Sequence, residues 1–192
     1  AGQDIGFEVA SEDWLKRFTV HSSPLLFVEV GYADGTTRDE LAVNDAWVQC
    51  PAGGMAMIEI SVDNEVRLPR LCADGVLVAS AAGSTGYARS MGATPILLGT
   101  PALVLVGSNV FEPIGWKSAQ LLPESTVEFR NIDPTKSKRP ILGFADGVPL
   151  GEIVRMRVRM SRIAAAEIAD VPEYDRSAKF AEVQFPPVVT GG

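Results

Sequence analysis

The run A-D-G-V-L-V-A-S-A-A-G-S-T-G-Y-A-R-S-M-G, residues 73–92, sets an acid before an apolar segment and a glycine–hydroxyl cluster after it. Gly83 and Gly86 let backbone approach a ligand closely, Ser84 and Thr85 add hydroxyls, and Tyr87 adds an aromatic plane. At the start of a helix such a loop suits a ribose, a phosphate oxygen or an adenine. The same residue types also compose ordinary surface loops. A second candidate is the pair Asn44-Asp45. One carboxylate can accept both hydroxyl hydrogens of a ribose diol, while the adjacent amide offers a donor and an acceptor. Bland alternatives stand beside each: the pair fits a strand end, Asp74-Gly75 a turn, and Tyr87 a core position.

Several chemistries are excluded by the same residues. A serine hydrolase elbow reads G-x-S-x-G, whereas this chain has A-G-S-T-G, and its one histidine, His21, lies far upstream. No Walker string, glycine followed four residues later by G-K-[ST], is present. Cys50 and Cys72 with a single histidine cannot supply the four ligands of a zinc site, so no metal site is expected and the two cysteines read as reduced core thiols of a cytoplasmic protein. A net charge of −7 repels a phosphate polymer, which argues against nucleic-acid binding. The longest apolar stretch, T-P-I-L-L-G-T-P-A-L-V-L-V-G-S, is interrupted by glycine and proline, so no membrane span is expected.

The elements that must position these residues are mostly strands. Met55, Met57, Glu59 and Ser61 alternate with Ala56, Ile58, Ile60 and Val62, and Val154, Met156, Val158 and Met160 alternate with Arg155, Arg157 and Arg159, as strands with two unlike faces do. The arginine face is expected to be solvated. G-V-L-V-A-S and A-L-V-L-V-G-S read as strands buried on both sides. One strand is expected from Pro24 and a second around E-L-A-V-N-D-A-W-V-Q, with turns at Y-A-D-G and D-N-E. S-E-D-W-L-K-R-F, residues 11–18, has the serine cap and apolar spacing of a short helix, and Ser84 or Thr85 is positioned to cap another that Gly92 ends. D-P-T-K-S-K-R-P reads as a solvated loop. At 192 residues the chain makes one sizeable domain, residues 1–170, with a tail, 171–192, that either hangs free or docks.

Taken in order, A-V-N-D-A-W-V, A-D-G-V-L-V-A-S-A-A-G-S-T-G-Y-A-R-S, A-L-V-L-V-G-S, L-L-P-E-S-T-V-E-F, R-P-I-L-G-F-A-D-G-V-P-L and V-R-M-R-V-R-M-S resemble the C-terminal domain of NAD kinases along nearly the whole chain. The resemblance implies a mainly β, sandwich-like fold with a few short helices, an NAD or NADP ligand, and assembly into homodimers or larger homo-oligomers. It implies that Asn44 and Asp45 bind ribose hydroxyls of the adenosine and that Asp74 holds the nicotinamide end. Thr85, Gly86, Tyr87 and Ser90, with Gly83 and Ser84 in the same loop, supply the remaining nucleotide contacts. Asp146-Gly147 resembles the family's late D-G turn.

The chain also departs from that pattern. NAD kinases carry the general base and ATP-phosphate loop in a preceding domain, as G-G-D-G, and that string is absent from these 192 residues. The opening D-I-G-F-E-V-A-S-E-D-W-L resembles the family's segment just after the crossover between domains. Ala81 and Ala82 replace proline and threonine before the loop, and loss of one hydroxyl contact costs about 1 kcal/mol. S-N-V-F-E-P-I-G-W-K-S-A-Q-L-L-P lacks the family's P-H-S-L histidine. No side chain stands out as a catalytic base, Asp45 being better suited to orienting a diol. The expected activity is ATP-dependent 2′-phosphorylation of NAD to NADP, with ATP and magnesium bound only if a G-G-D-G domain is supplied. The alternatives are a non-catalytic NAD(P)-binding regulatory module and a related kinase for another hydroxyl substrate.

Overall fold

A computed structural model describes residues 17–51, 54–132 and 139–185. The helix expected over residues 11–18 and the loop expected over residues 133–140 lie largely outside them. Twelve strands form two six-stranded antiparallel sheets. The first, in spatial order, contains β2 (Thr37–Ala42), β1 (Thr19–Gly31), β12 (Arg155–Asp170), β9 (Thr126–Asn131), β4 (Ala56–Val62) and β5 (Glu65–Ala73). The second contains β11 (Val148–Ile153), β10 (Ile141–Ala145), β3 (Asp45–Gln49), β6 (Gly75–Ala79), β7 (Leu103–Ser108) and β8 (Ser118–Leu121). The mainly β expectation therefore holds.

The alternation read from the sequence builds the core between the sheets. Val28, Ile58, Ile60, Phe129, Met156 and Val158 from the first meet Val48, Val76, Val78, Leu105 and Ile141 from the second, all at most 3% exposed. Burying these side chains supplies the main stabilisation, about 1.5–3 kcal/mol for each Val, Leu, Ile, Phe or Met before chain entropy is set against it. The second sheet is also covered on its outer face. Leu77, Ala79, Val104 and Val106 pack there against Ala88, Ala93 and Ile96, which explains why β6 and β7 read as unbroken apolar runs while β4 alternates.

The turns follow their chemistry. Asp63 and Asn64, both at positive φ, form the two-residue hairpin that pairs Val62 with Glu65. Asp146 and Gly147, also at positive φ, do the same between β10 and β11. On the outer face of the first sheet Arg155 meets Glu29 at 2.6 Å, Arg157 meets Glu128 at 3.4 Å, and Arg159 stacks on Phe27 at 4.4 Å. The arginine ladder is thus a half-exposed face neutralised largely by cross-strand carboxylates.

Three expectations need correction. E-L-A-V-N-D-A-W-V-Q is two strands, not one: β2 ends at Ala42 in the first sheet and β3 begins at Asp45 in the second, so Val43-Asn44 is the crossing between sheets. A strand period cannot report a change of sheet, because apolar alternation continues on both sides of it. Pairing of β1 begins five residues before Pro24, at Thr19, with a bulge between Pro24 and Leu26. The helix expected after Ser84 or Thr85 is a 3-10 turn, Gly83–Thr85, followed by one helical turn, α1 (Tyr87–Ser90), and neither hydroxyl caps it. Within the tail, Arg176–Gln184 is helix α2, capped by Asp175, whose carboxylate accepts from the Ala178 N–H.

Candidate functional site

The sheet crossing brings the two candidate segments together. β3 starts with Asp45 directly opposite Ala79, the last residue of β6, so the Asn44-Asp45 pair and the loop after β6 meet at one end of the second sheet. Ser80 locks them: its N–H donates to the Asn44 carbonyl at 2.9 Å and its hydroxyl to the Val43 carbonyl at 2.7 Å. Gly83 then packs on Asn44 so tightly that an added Cβ would lie 2.2 Å from the Asn44 carbonyl oxygen. The glycine that looked suited to a ligand instead allows the loop to sit against the crossing.

Asp146 completes the junction. From its hairpin tip its carboxylate accepts the N–H of Val43 at 2.6 Å, Asn44 at 2.8 Å and Asp45 at 3.2 Å. Three donors on one carboxylate fix the path of the backbone where the chain changes sheets, and the N–H of Asp146 returns to the Asp45 carbonyl. Burial of Asp45, followed by the nearby negative charge of Asp146, raises its carboxyl to a pKa of about 6. Asp45 is thus a carboxylate less well solvated than it would be in water.

Each predicted residue has a definite place. Asn44, Thr85, Gly86, Tyr87, Ser90 and Asp74 are exposed, Asp45 is nearly covered, and Gly83 and Ser84 are buried. The Ser84 hydroxyl is used internally, donating toward the carbonyls of Ala81 and Ile96 and accepting from the Ile96 N–H at 3.0 Å, so it holds the loop in shape. The Ser90 hydroxyl donates to the Tyr87 carbonyl at 2.7 Å. Asp74 lies at the other end of β6, about 20 Å along the strand from Ser80 at the usual rise per residue. There Gly75 lets β6 approach β3, since a Cβ would lie 2.4 Å from the Val48 carbonyl oxygen. The D-G pair is therefore a close-contact strand start rather than a turn.

The loop divides two clefts. One of about 340 Å³ has Val43, Asn44, Ala82 and Thr85 on one wall. The other, of about 730 Å³, runs from Tyr87 and Met91 past Trp47 to Asp74 and Asn109. Trp47 lies two residues after Asp45, so both side chains leave β3 on the face opposite the core residues Ala46 and Val48. The Trp47 ring meets Tyr87 edge-on at 4.9 Å and Phe144 at 4.6 Å. At the far end Asn109 donates to the Asp74 carboxylate at 2.5 Å. Trp47, Ser80, Asn109, Phe144 and the clamp role of Asp146 escaped the sequence reading. Only Trp47 carried a signal, its two-residue spacing from Asp45. Among the described residues no group of His, Cys, Asp and Glu could hold a metal ion, and no helix is long and apolar enough to cross a membrane.

A scan against models of known protein families returns no match. Individual relatives are clear. The NAD kinase of Mesorhizobium japonicum is 33% identical over 153 residues, 80% of this chain and 59% of the relative. That of Zymomonas mobilis is 31% identical over 170 residues, 88% of this chain and 64% of the relative. That of Cereibacter sphaeroides is 34% identical over 137 residues, 71% of this chain and 53% of the relative.

The chain belongs to the NAD kinase family.

It spans between 53% and 64% of the length of these three NAD kinases. Solved NAD kinase structures share its fold. Yeast NADH kinase complexed with NADH superposes with a TM-score of 0.74 at 17% identity, over 86% of this chain and 48% of that one. The NAD kinase of Archaeoglobus fulgidus in complex with ATP gives 0.71 at 23% identity, over 93% and 66% respectively. The match to an NAD kinase β domain expected from the sequence motifs is thus established for the fold.

Proposed function

We propose that this chain is the dinucleotide-binding β domain of an NAD kinase-type phosphotransferase, acting on NAD or its phosphorylated or reduced forms. The observation that carries the reading is the placement of one loop between two clefts, with Thr85 facing the first and Tyr87 the second. A two-headed ligand spanning such a divide places one nucleoside on each side. Asn44 and the poised Asp45 take a ribose diol at one end, and Asp74 with Asn109 offers an acid and an amide to a carboxamide at the other. The aromatic edge of Trp47 and Tyr87 lies between. The length of β6 suits an extended dinucleotide, and the yeast neighbour was solved with NADH.

Phosphoryl transfer to the adenosine 2′-hydroxyl needs a base within reach and a clamp for the triphosphate. The 192 residues hold no G-G-D-G, so we assign that chemistry to a domain outside these residues. Here the protein's contribution is to bind and orient the acceptor. Self-association accompanies this reading: Phe111, Ile114 and Leu122, at 70%, 96% and 70% exposure, present apolar surface around the β7–β8 connection. The lack of G-G-D-G in this chain also keeps open a purely regulatory NAD(P)-binding role. Calorimetric titration with NAD, NADP, ATP and a diacylglycerol analogue tests the ligand class. Heat with a dinucleotide that Asn44→Ala and Asp74→Ala each diminish supports the reading, and no heat with any dinucleotide refutes it. Reading the coding sequence upstream of Ala1 for G-G-D-G separates kinase from regulatory module.

A further inference from the structure

The C-terminal segment is part of the same architecture. Beyond the bulge at Pro24, β1 and β12 leave the first sheet and continue as a ribbon that pairs Thr19–Pro24 with Ala165–Asp170. Asp170 at the tip of that ribbon holds the Arg176 guanidinium, with the Arg176 Nε 2.8 Å away, and His21 lies 3.6 Å from the same carboxylate. These contacts carry α2 back over the crossing. Its half-buried positions, Arg176, Phe180 and Val183, fall at i, i+4 and i+7 and so form one stripe.

That stripe does not pack closed. Between it and Asn44, Thr85, Ile96 and Leu97 lies the open cleft of about 340 Å³, lined in part by apolar side chains. The volume falls within the range of small-ligand sites. Its chemistry is divided. Tyr174, Phe180, Val183, Ile96 and Leu97 give it an apolar lining, while Lys179, Arg176, Asp170, Asn44 and Thr85 add charged and polar groups. The exposed Lys179 beside hydroxyl and amide groups offers a cation to an anionic nucleotide. Arg176 is committed to Asp170. Among the described residues Lys179 pairs with Glu182, and both partners are more than half exposed, so this ion pair yields readily to a phosphate.

We propose that α2 and Tyr174 are the second wall of the nucleotide site: Tyr174 and Phe180 cover a base whose ribose stands on Asn44 and Asp45, and Lys179 faces its phosphate. This rests on the dinucleotide reading above and extends the site into residues first read as a tail.

The test is calorimetric titration of the whole chain with NADP and NAD, comparing Phe180→Ala, Lys179→Ala and Asn44→Ala, with circular dichroism to verify folding. Phe180→Ala and Lys179→Ala are each expected to weaken binding about tenfold, the scale of one charge-assisted hydrogen bond or one buried aromatic contact. Raised salt should erase the Lys179 effect and leave that of Phe180. If Asn44→Ala lowers affinity while both α2 variants bind as wild type, or bind more tightly, α2 is not a wall of the site and only the dinucleotide reading survives. If the unmodified chain binds neither dinucleotide, both fall. Lys179 is exposed, so its variant keeps the test decisive even if Phe180→Ala does not fold.

Discussion

Replacing Asp45 by asparagine separates the cost of this carboxylate from its use. Its pKa is raised from 3.8 to about 6, chiefly by burial and then by Asp146, so at neutral pH the folded chain holds a charge it solvates less well than water would. A shift of roughly two units corresponds to a ceiling of about 3 kcal/mol, at about 1.4 kcal/mol per unit. Asp45 retains 9% exposure and lies beside the exposed Asp146, so solvent screening reduces the expected penalty to about 1–2 kcal/mol. The sign follows from linkage. Below pH 3.8 both folded and unfolded chains are protonated and the penalty vanishes. As pH rises through the window from 3.8 to about 6 the unfolded chain releases its proton first, and stability falls until the folded carboxyl ionises as well. Asp45→Asn should therefore be more stable than wild type by about 1–2 kcal/mol in urea denaturation near pH 8, with the gap closing near pH 3.5. The same substitution should weaken NAD or NADP binding about tenfold, because a charge-assisted acceptor of ribose hydroxyls is lost. Wild-type affinity should rise with pH through about 6, and that rise should be missing in the variant. A gap between variant and wild type no larger at pH 8 than at pH 3.5 would falsify the account of Asp45 as a poorly solvated acceptor. Unchanged affinity would remove it from the ligand.

Gly83→Ala forces a Cβ to within 2.2 Å of the Asn44 carbonyl oxygen, a backbone atom, and should cost about 1–3 kcal/mol in thermal denaturation while lowering dinucleotide affinity; a wild-type melting temperature would show that the loop does not rest on the crossing. Asp146→Ala frees three N–H groups and should destabilise the fold by about 2 kcal/mol while bringing the Asp45 pKa down toward its ordinary value, since a like charge is removed; carboxyl titration by NMR reads the second effect directly. Ile114→Glu should lower the sedimentation coefficient if the exposed surface around the β7–β8 connection joins copies of the chain, and an unchanged coefficient would dismiss that surface.

The residues by themselves determined the class of fold and nominated candidates for the site. Strand alternation is a local property, so the periods in β4 and β12 announced strands with two unlike faces, and the unbroken apolar β6 and β7 announced strands covered on both faces. Asn44-Asp45, the D-G pair and the G-S-T-G-Y loop could be named because their residue types limit what each can do. The sequence could not show that Val43-Asn44 crosses between sheets, that Ser84 turns inward, or that Asp146 closes the junction by gathering N–H groups about a hundred residues away in sequence. Nor could it show that α2 returns along a ribbon to face Asn44. Those facts depend on which strands pair and where the chain changes layers, and pairing is a contest among distant segments that no local period records. Chemistry was written in the side chains; which of them face one another across a cleft was settled only when the two sheets packed.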